Sequence, residues 1–547
     1  MGSSRCFVIP AIKKNAVIPD QLVKKLAGVP LINRAIDTAL ACARGEDIYV
    51  FTDSEEIGLV CDRAGVKHIR DQSFRFKTWD IVGELNALLS TLAESYEDCV
   101  ILRASCPLLV WTDIEDAYAA FKRKKADCLI TVRKVKQRLW KNRAETLEEA
   151  IAQAGSLDSD REEYVAETRA LVMIRLGALA EGGRGSVMPW FMGERGIEIL
   201  DYQDWWICER LLERKSAVFV VAGYAAIGMG HVYRALMLAH EITAHKVTFV
   251  CTRESELAAS EIASRDYRVV RQGSEPLEAT VLAQRPDLAI NDFLNTPTDY
   301  MRSLREAGTR TINFEDVGEG SRLADLVINA LYEDPRPPAN VRCGPEYFCL
   351  RDEFLYAARN PLRPEVRVAL ITFGGTDQRD FTLKVLNVIE PICRAFGISI
   401  RIVAGPGYSR KENLEKRLAE LGNPLISFTS TTNIMSRMME GADLALCSAG
   451  RTVYELAHMR VPGIVFATHE REAKHGFARP RNGFVFAGLM DKIDDRRIRN
   501  LFLAMLKQKR RARYWERQDK LSFEGNKQRV IGLIEDQLEK SRANNGR

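Results

Sequence analysis

No stretch of this 547-residue chain approaches the roughly 18 consecutive apolar residues of a membrane-crossing helix, so no transmembrane segment is expected. The N-terminus, MGSSRCFVIPAIKK, lacks the apolar core of a signal peptide. Cys6 stands where a myristoylation signal wants Ser or Thr. A cytoplasmic location is the expectation. No C-x-x-C occurs among the 12 scattered cysteines, and Cys6, Cys99, Cys251 and Cys447 lie inside apolar runs. Buried free thiols in a reducing compartment are therefore expected rather than disulfides or zinc. An excess of one charge is also missing: 79 Lys and Arg stand against 74 Asp and Glu, a net +5. That balance argues against a nucleic-acid-coating role. No short internal repeat is visible. What is present is an ordinary soluble composition, 46% hydrophobic and 28% charged, long enough for about three globular units.

Apolar runs of strand length alternate with helical patterns along the whole chain. In the first part, strands are expected at Cys6–Pro10, Ile48–Phe51, Cys99–Arg103, Cys128–Val132 and Ala170–Ile174, with helices between them. This predicts an α/β fold with a parallel sheet covered on both faces. The polar segment from Arg138 to Glu163 reads as an inserted flap or helical arm. The pattern restarts at Ser216 and again at Val366, after a linker near Tyr356–Pro364. The boundaries expected are 1–215, 216–360 and 361–547. The charged stretch KQKRRARYWERQ after Asp491 reads as a solvated closing helix.

The stretch SAVFVVAGYAAIGMGHVYR, Ser216–Arg234, organises the second half. An apolar strand, a glycine loop and a helix start in series form a site where an anion meets free backbone N–H groups. Gly228 and Gly230 carry the loop, His231 stands at the helix start, and Arg234 follows one turn on. Arg234 is expected to support this helix end or to pair with a carboxylate. Further strand ends carry Gly374-Gly375-Thr376 and Ser448-Ala449-Gly450-Arg451-Thr452, whose N–H groups suit a diphosphate. Asp292 closes another strand on the same edge. His231 has the right free pKa for a general base, although a plain helix-start residue is the alternative. Arg451 reads either as a ligand contact or as a solvated charge.

These stretches recur in order with GPEYFCLRDEF (Gly344–Phe354), TFGGTDQRD (Thr372–Asp380), CSAGRTVYE (Cys447–Glu455) and VPGIVF (Val461–Phe466). The set resembles the nucleotide-sugar hydrolase of the pseudaminic-acid pathway and the related spore-coat polysaccharide protein G, within the two-lobed glycosyltransferase-B (GT-B) group. The resemblance implies a double Rossmann module that hydrolyses a UDP-linked sugar without a cofactor. It implies His231 and Asp292 as catalytic residues, and Glu455 as the carboxylate for the ribose hydroxyls. Transfer of the sugar to an acceptor is the alternative. The family's Asn-Gln pair is replaced here by Thr468-His469-Glu470-Arg471-Glu472, near His475.

The opening resembles the cytidylyltransferases that make CMP-sialic acid, through Ile9-Pro10-Ala11, Gly28-Val29-Pro30-Leu31-Ile32 and Phe51-Thr52-Asp53-Ser54. This implies a Rossmann-like nucleotidyltransferase domain that handles CTP or a CMP-sugar, with Asp53 in the site. The family's phosphate-loop arginine is Ile12 here and its glycine pair is Lys13-Lys14, so lysine side chains would have to replace backbone on the phosphates. The family's Asp-x-Asp for Mg²⁺ becomes Glu198 and Leu200, with Asp201 adjacent. Mg²⁺ on Glu198 and Asp201 is the implied cofactor. A domain that only binds or senses a nucleotide, or scaffolds its partner, is the alternative. Nucleotide sugars are the expected partners and nucleic acid is not.

Overall fold

Side chains along the strand Arg5–Ala11 alternate between two cores. Phe7, Ile9 and Ala11 pack with the helices Leu31–Leu40, Glu55–Ala64 and Trp111–Lys124. Cys6 and Val8 pack with Ile81, Leu85 and Leu89 on the opposite face. The computed structural model describes all residues except 1–3, 15–17, 79, 136–139, 144–145, 150–164, 180–184, 225–228, 376, 406, 431–433 and 542–547. The described chain forms two compact units, Met1–Arg214 and Lys215–Arg547.

The first unit holds a seven-stranded sheet with Arg5–Ala11 between Asp98–Leu102 and Ile48–Thr52, parallel to both. The sheet is not wholly parallel as expected. Val165–Arg175 runs antiparallel to Asp98–Leu102 and to Cys128–Lys134. An antiparallel neighbour needs no crossover of the kind that joins parallel strands. Within the connection from Cys128–Lys134 to Val165–Arg175 the backbone forms a small hairpin, Trp140–Arg143 with Thr146–Glu149. The rest of the expected flap lies outside the described residues.

The second unit contains two parallel sheets. In the first, Ser216–Val221 lies between Lys246–Cys251 and Leu288–Asp292. In the second, Val368–Thr372 lies between Ser399–Val403 and Leu444–Ser448. Each order reverses beside its central strand, which opens a crevice at the C-terminal strand ends. This is the two-lobed GT-B arrangement. The chain end departs from the expected boundary. Asn526–Lys540 packs Val530, Ile534 and Leu538 into the core of the first lobe. Its Glu535 meets His245 Nε2 at 2.9 Å, and its Gln537 accepts from Arg310 at 2.6 Å.

The basic stretch before it is not simply solvated. Arg511 is buried, and its guanidinium donates to the carbonyls of Leu506, Arg363 and Pro364. Gln518, also buried, donates to the carbonyls of Val461 and Gly483. All twelve cysteines are free thiols, and only Cys42 and Cys343 are not buried. No helix among the described residues is long and apolar enough to cross a membrane.

Candidate functional site

The strand Ser216–Val221 ends in Ala222-Gly223, where a side chain is excluded. A Cβ on Gly223 would lie 2.6 Å from Val232 Cγ2 and 2.9 Å from Ala258 Cβ. Residues 225–228, Gly228 among them, lie outside the described residues. The helix Gly230–Glu241 then sets His231 and Arg234 one turn apart. Asp292, the last residue of its strand and almost fully buried, receives both. His231 Nδ1 is 2.6 Å from Asp292 Oδ1. Arg234 donates from Nη2 to the same oxygen at 2.5 Å and from Nε to Oδ2 at 2.7 Å.

Burial alone would raise the Asp292 pKa, but Arg234 and His231 outweigh it and hold it down to about 2. Against an ionised carboxylate, Nδ1 of His231 carries the proton, which leaves Nε2 as the basic nitrogen. No described residue hydrogen-bonds that Nε2. Arg234 continues the chain of charges by donating to Glu315 Oε1 at 2.9 Å. Phe314 lies under its guanidinium, 4.8 Å from the ring centre. Burial would lower the Arg234 pKa, but the two carboxylates raise it. Asp292 thus orients His231, and both its oxygens are already engaged by Arg234.

A cavity of about 410 Å³ lies beside this helix start, at the strand ends of both lobes. Gly230 and Arg234 line it from the first lobe, and Gly374, Gly375, Gly405, Arg451, Thr452 and Glu455 from the second. The ring of His231 is not among the lining groups. Two glycine loops approach too closely for side chains: a Cβ on Gly405 would sit 2.4 Å from Gly375 Cα. Gly405 N donates to Gly374 O and Gly407 N to Gly375 O. Thr376 lies outside the described residues. Its neighbour Asp377 accepts from the N–H groups of Phe381 and Thr382, and so caps a helix.

Ser448, Ala449 and Gly450 form the turn behind the cavity rather than its wall. The Ala449 carbonyl accepts from His475 Nδ1 at 2.7 Å. Glu472 Oε1 lies 3.5 Å from where a Cβ on Gly450 would be. In the segment that replaces the Asn-Gln pair, Glu472 accepts from the N–H and hydroxyl of Thr468. Arg471 crosses to the first lobe, donating to Asn295 Oδ1 at 2.8 Å and to the Glu315 carbonyl at 2.5 Å.

Arg451 is not a solvated charge. Its guanidinium sits over the Phe348 ring at 4.6 Å and reaches the Cys349 carbonyl at 3.4 Å, while Nη1 is buried without a hydrogen-bond partner. Burial, and then the Arg234 charge, push its pKa down to about 10. A buried cation with an unused donor on a cavity wall suits an anionic ligand. Glu455 is held by Arg351, which donates to Oε1 from Nε at 3.2 Å and Nη2 at 3.0 Å and also pairs with Glu353. Arg351 and Glu315 had no role in the sequence reading. Arg351 sits inside the quoted GPEYFCLRDEF stretch, and Glu315 follows a strand end much as Asp292 closes one, so both carried a positional signal.

In the first unit, Lys13 is engaged by carboxylates. Its Nζ donates to Glu56 at 2.6 Å and lies 3.3 Å from Asp20, and its backbone N–H donates to Asp53 at 2.7 Å. Arg75 lies 3.3 Å from the other Asp53 oxygen. Lys14 is exposed. The structure does not make a metal pair of Glu198 and Asp201. Glu198 faces two guanidiniums, Arg103 at 2.9 Å and Arg169 at 2.5 Å. Asp201 accepts from the N–H groups of Gln203 and Asp204 as a helix cap. No group of three or more His, Cys, Asp or Glu suited to a metal occurs among the described residues.

Residues 8–175 match the family model described as cytidylyltransferase. The chain is similar to the uncharacterized protein MJ1062 of Methanocaldococcus jannaschii, 28% identical over 269 residues, 46% of this chain and 55% of that protein. It thus spans little more than half of that relative's length. It is also similar to the spore coat polysaccharide biosynthesis protein SpsG of Bacillus subtilis, 26% identical over 269 residues, 47% of this chain and 78% of that one. Among solved structures it is similar to MurG of Acinetobacter baumannii, at 17% identity and a TM-score of 0.43, over 59% of this chain and 99% of that one. The chain is thus similar to cytidylyltransferases over residues 8–175 and, over 269 residues, to a spore coat polysaccharide biosynthesis protein.

Proposed function

We propose that this is a cytoplasmic sugar-nucleotide enzyme of nonulosonic-acid or surface-glycan biosynthesis, whose unit Lys215–Arg547 hydrolyses an NDP-sugar, UDP-linked, to NDP and free sugar. The observation that carries the reading is the His231–Asp292 pair at 2.6 Å, at the helix start that borders the cavity. A base held by a buried carboxylate is the arrangement that activates a weak nucleophile such as water. In this reading the diphosphate lies against Gly374, Gly375 and Arg451, and the sugar extends past Gly230 toward the imidazole. Water bonds to the anomeric carbon as its proton passes to His231 Nε2. The carbon–oxygen bond to phosphate breaks, and its electron pair leaves with the NDP. Arg451 and the loop N–H groups offset the charge that develops there. No cofactor is required for this step.

The wall of Tyr233, Met237 and His240 on the same cavity favours a second reading, in which an acceptor sugar sits there and its hydroxyl replaces water. One experiment separates the two. The chain is incubated with UDP- and CMP-sugars, with and without acceptors, and products are read by mass. Free sugar released without an acceptor supports hydrolysis. Product formed only with an acceptor replaces hydrolysis by transfer. No turnover of any nucleotide sugar sinks both. For Met1–Arg214, the family match over residues 8–175 supports a nucleotide-binding domain.

A further inference from the structure

Resting on the hydrolytic reading, we propose that Arg471 is a positioning residue for the His231 base. From the second lobe it fixes the two first-lobe loops on which the His231–Asp292–Arg234 chain depends. Among the described residues, none of residues 468–472 lines the cavity. Their segment is pinned to its own lobe instead. Glu472 Oε2 accepts from the N–H and the hydroxyl of Thr468, which directly follows the strand Gly463–Ala467. His469 Nδ1 accepts from the Glu472 N–H at 3.3 Å. Arg471 reaches across from this pinned segment, with its guanidinium 5.8 Å from the centre of the Tyr332 ring. Nη1 donates to Asn295 Oδ1 at 2.8 Å, and Nη2 to the Glu315 carbonyl at 2.5 Å.

Both acceptors sit at strained backbone. Leu294 and Glu315 hold φ at +49° and +51°, in the left-handed region that leucine and glutamate seldom adopt. Such backbone persists only where its surroundings over-determine it, and it collects at functional sites. Each loop leaves a strand end of the site: Asn295 is three residues beyond Asp292, and Glu315 directly follows the strand Arg310–Phe314. Glu315 is also where the chain of charges ends, for its Oε1 accepts from Arg234 and its Oε2 from the Leu331 N–H. A shift of the Glu315 backbone therefore moves Arg234, which spans both oxygens of Asp292, and Asp292 carries the imidazole with it. Among the described residues, the hydrogen bonds that the second lobe makes to these two loops both come from Arg471. Misplacing a reacting group by about 1 Å can cost on the order of a hundredfold in rate, so a contact this remote can govern turnover. The groups assigned to the diphosphate are others, so Arg471 sets the base and not the grip on the nucleotide.

The test uses the full chain and reads turnover and binding separately, on the UDP- or CMP-sugar that the unsubstituted chain hydrolyses fastest. Arg471→Met keeps an apolar stem beside Tyr332 and removes both donors. It is expected to lower kcat about tenfold or more, with KM and calorimetric UDP affinity within about twofold. Arg471→Lys, which can reach one acceptor, should recover part of the loss. Asn295→Ala, at an exposed position, removes one of the two bonds and should lose less than Arg471→Met. Urea midpoints show whether each variant is folded. Arg471→Met in the His231→Ala chain tells whether the arginine acts through the imidazole: the double variant should be no slower than His231→Ala alone. Further slowing by the same factor as in the unsubstituted chain overturns the proposal and leaves Arg471 a lobe contact only. So does a loss carried by KM and UDP affinity, or a normal kcat in Arg471→Met, or in Asn295→Ala should Arg471→Met fail to fold. In each of these cases the hydrolytic reading stands. If the unsubstituted chain hydrolyses no nucleotide sugar, that reading falls and the proposal with it.

Discussion

Asp292 holds His231 by one oxygen, 2.6 Å from Nδ1, while Arg234 spans both oxygens of the same carboxylate. This fixes the tautomer and the ring plane before any ligand arrives. The Arg234 pairing also removes Asp292 from the list of acids and bases. His231→Ala should therefore lower turnover about 10²–10⁴-fold, the span of a lost general base, with the affinity for UDP nearly unchanged. Initial rates and UDP titration on the same preparation check this. Normal turnover in the variant would end the hydrolytic mechanism.

The same pairing predicts how stability responds to acid. In the folded chain Asp292 stays ionised down to about pH 2, whereas in the unfolded chain it protonates near 4. Its stabilisation is complete above about pH 4 and is lost as pH falls toward 2, on the order of 2 kcal/mol in all. Urea unfolding at neutral pH and at points below 4 should show that loss. Asp292→Asn should be less stable at neutral pH, because Arg234 loses its main counter-charge, and should flatten the acid slope. An acid slope identical to that of the unsubstituted chain would refute the assignment.

The glycine turns, the strand ends and the His231 helix start were legible because they are local. Apolar runs of strand length and the punctuation of Gly223, Gly374 and Gly450 report backbone conformation directly. Long-range partners were not legible. Nothing in KQKRRARYWERQ separates Arg511, which sits against three backbone carbonyls, from its solvated neighbours. The periodicity of Asn526–Lys540 shows an apolar face without saying which lobe it covers. The apolar run of Val165–Arg175 marks a strand without marking its direction, and the structure sets it antiparallel to both neighbours. In the first unit the carboxylate at Glu198 was visible, but the two arginines that meet it lie far away in sequence. Side-chain pairing across sheets is set by topology, which a single chain read in order does not display.

Gly405 and Gly375 make a sharper test of the diphosphate loops. A Cβ on Gly405 would lie 2.4 Å from Gly375 Cα, and backbone cannot swing aside as a side chain can. Gly405→Ala should therefore destabilise the second unit by roughly 1–3 kcal/mol and separate the two loops. UDP affinity should fall with it, whereas Gly308→Ala, in open space on the first lobe, serves as the strained-glycine control. Urea midpoints and UDP titration distinguish the cases. A stable Gly405→Ala variant that binds UDP normally would remove these loops from the site.

Arg351 tests the sugar end of the nucleotide. It holds Glu455 Oε1 with two donors while pairing with Glu353, and burial would lower its pKa had the two glutamates not raised it. A carboxylate fixed in this way can accept from both ribose hydroxyls, and a deoxyribose leaves it partly unpaired. The unsubstituted chain should therefore prefer UDP over 2′-deoxy-UDP by about tenfold or more, as expected for hydrogen bonds to a charged acceptor. Arg351→Met frees Glu455 to rotate and should collapse that preference while leaving 2′-deoxy-UDP binding nearly constant. Arg351→Lys keeps the charge but loses the two-donor grip, and should fall between them. Competition titrations with the two nucleotides give the ratio directly. A preference that survives Arg351→Met but vanishes in Glu455→Gln would leave Glu455 as the ribose contact and strip Arg351 of its positioning role.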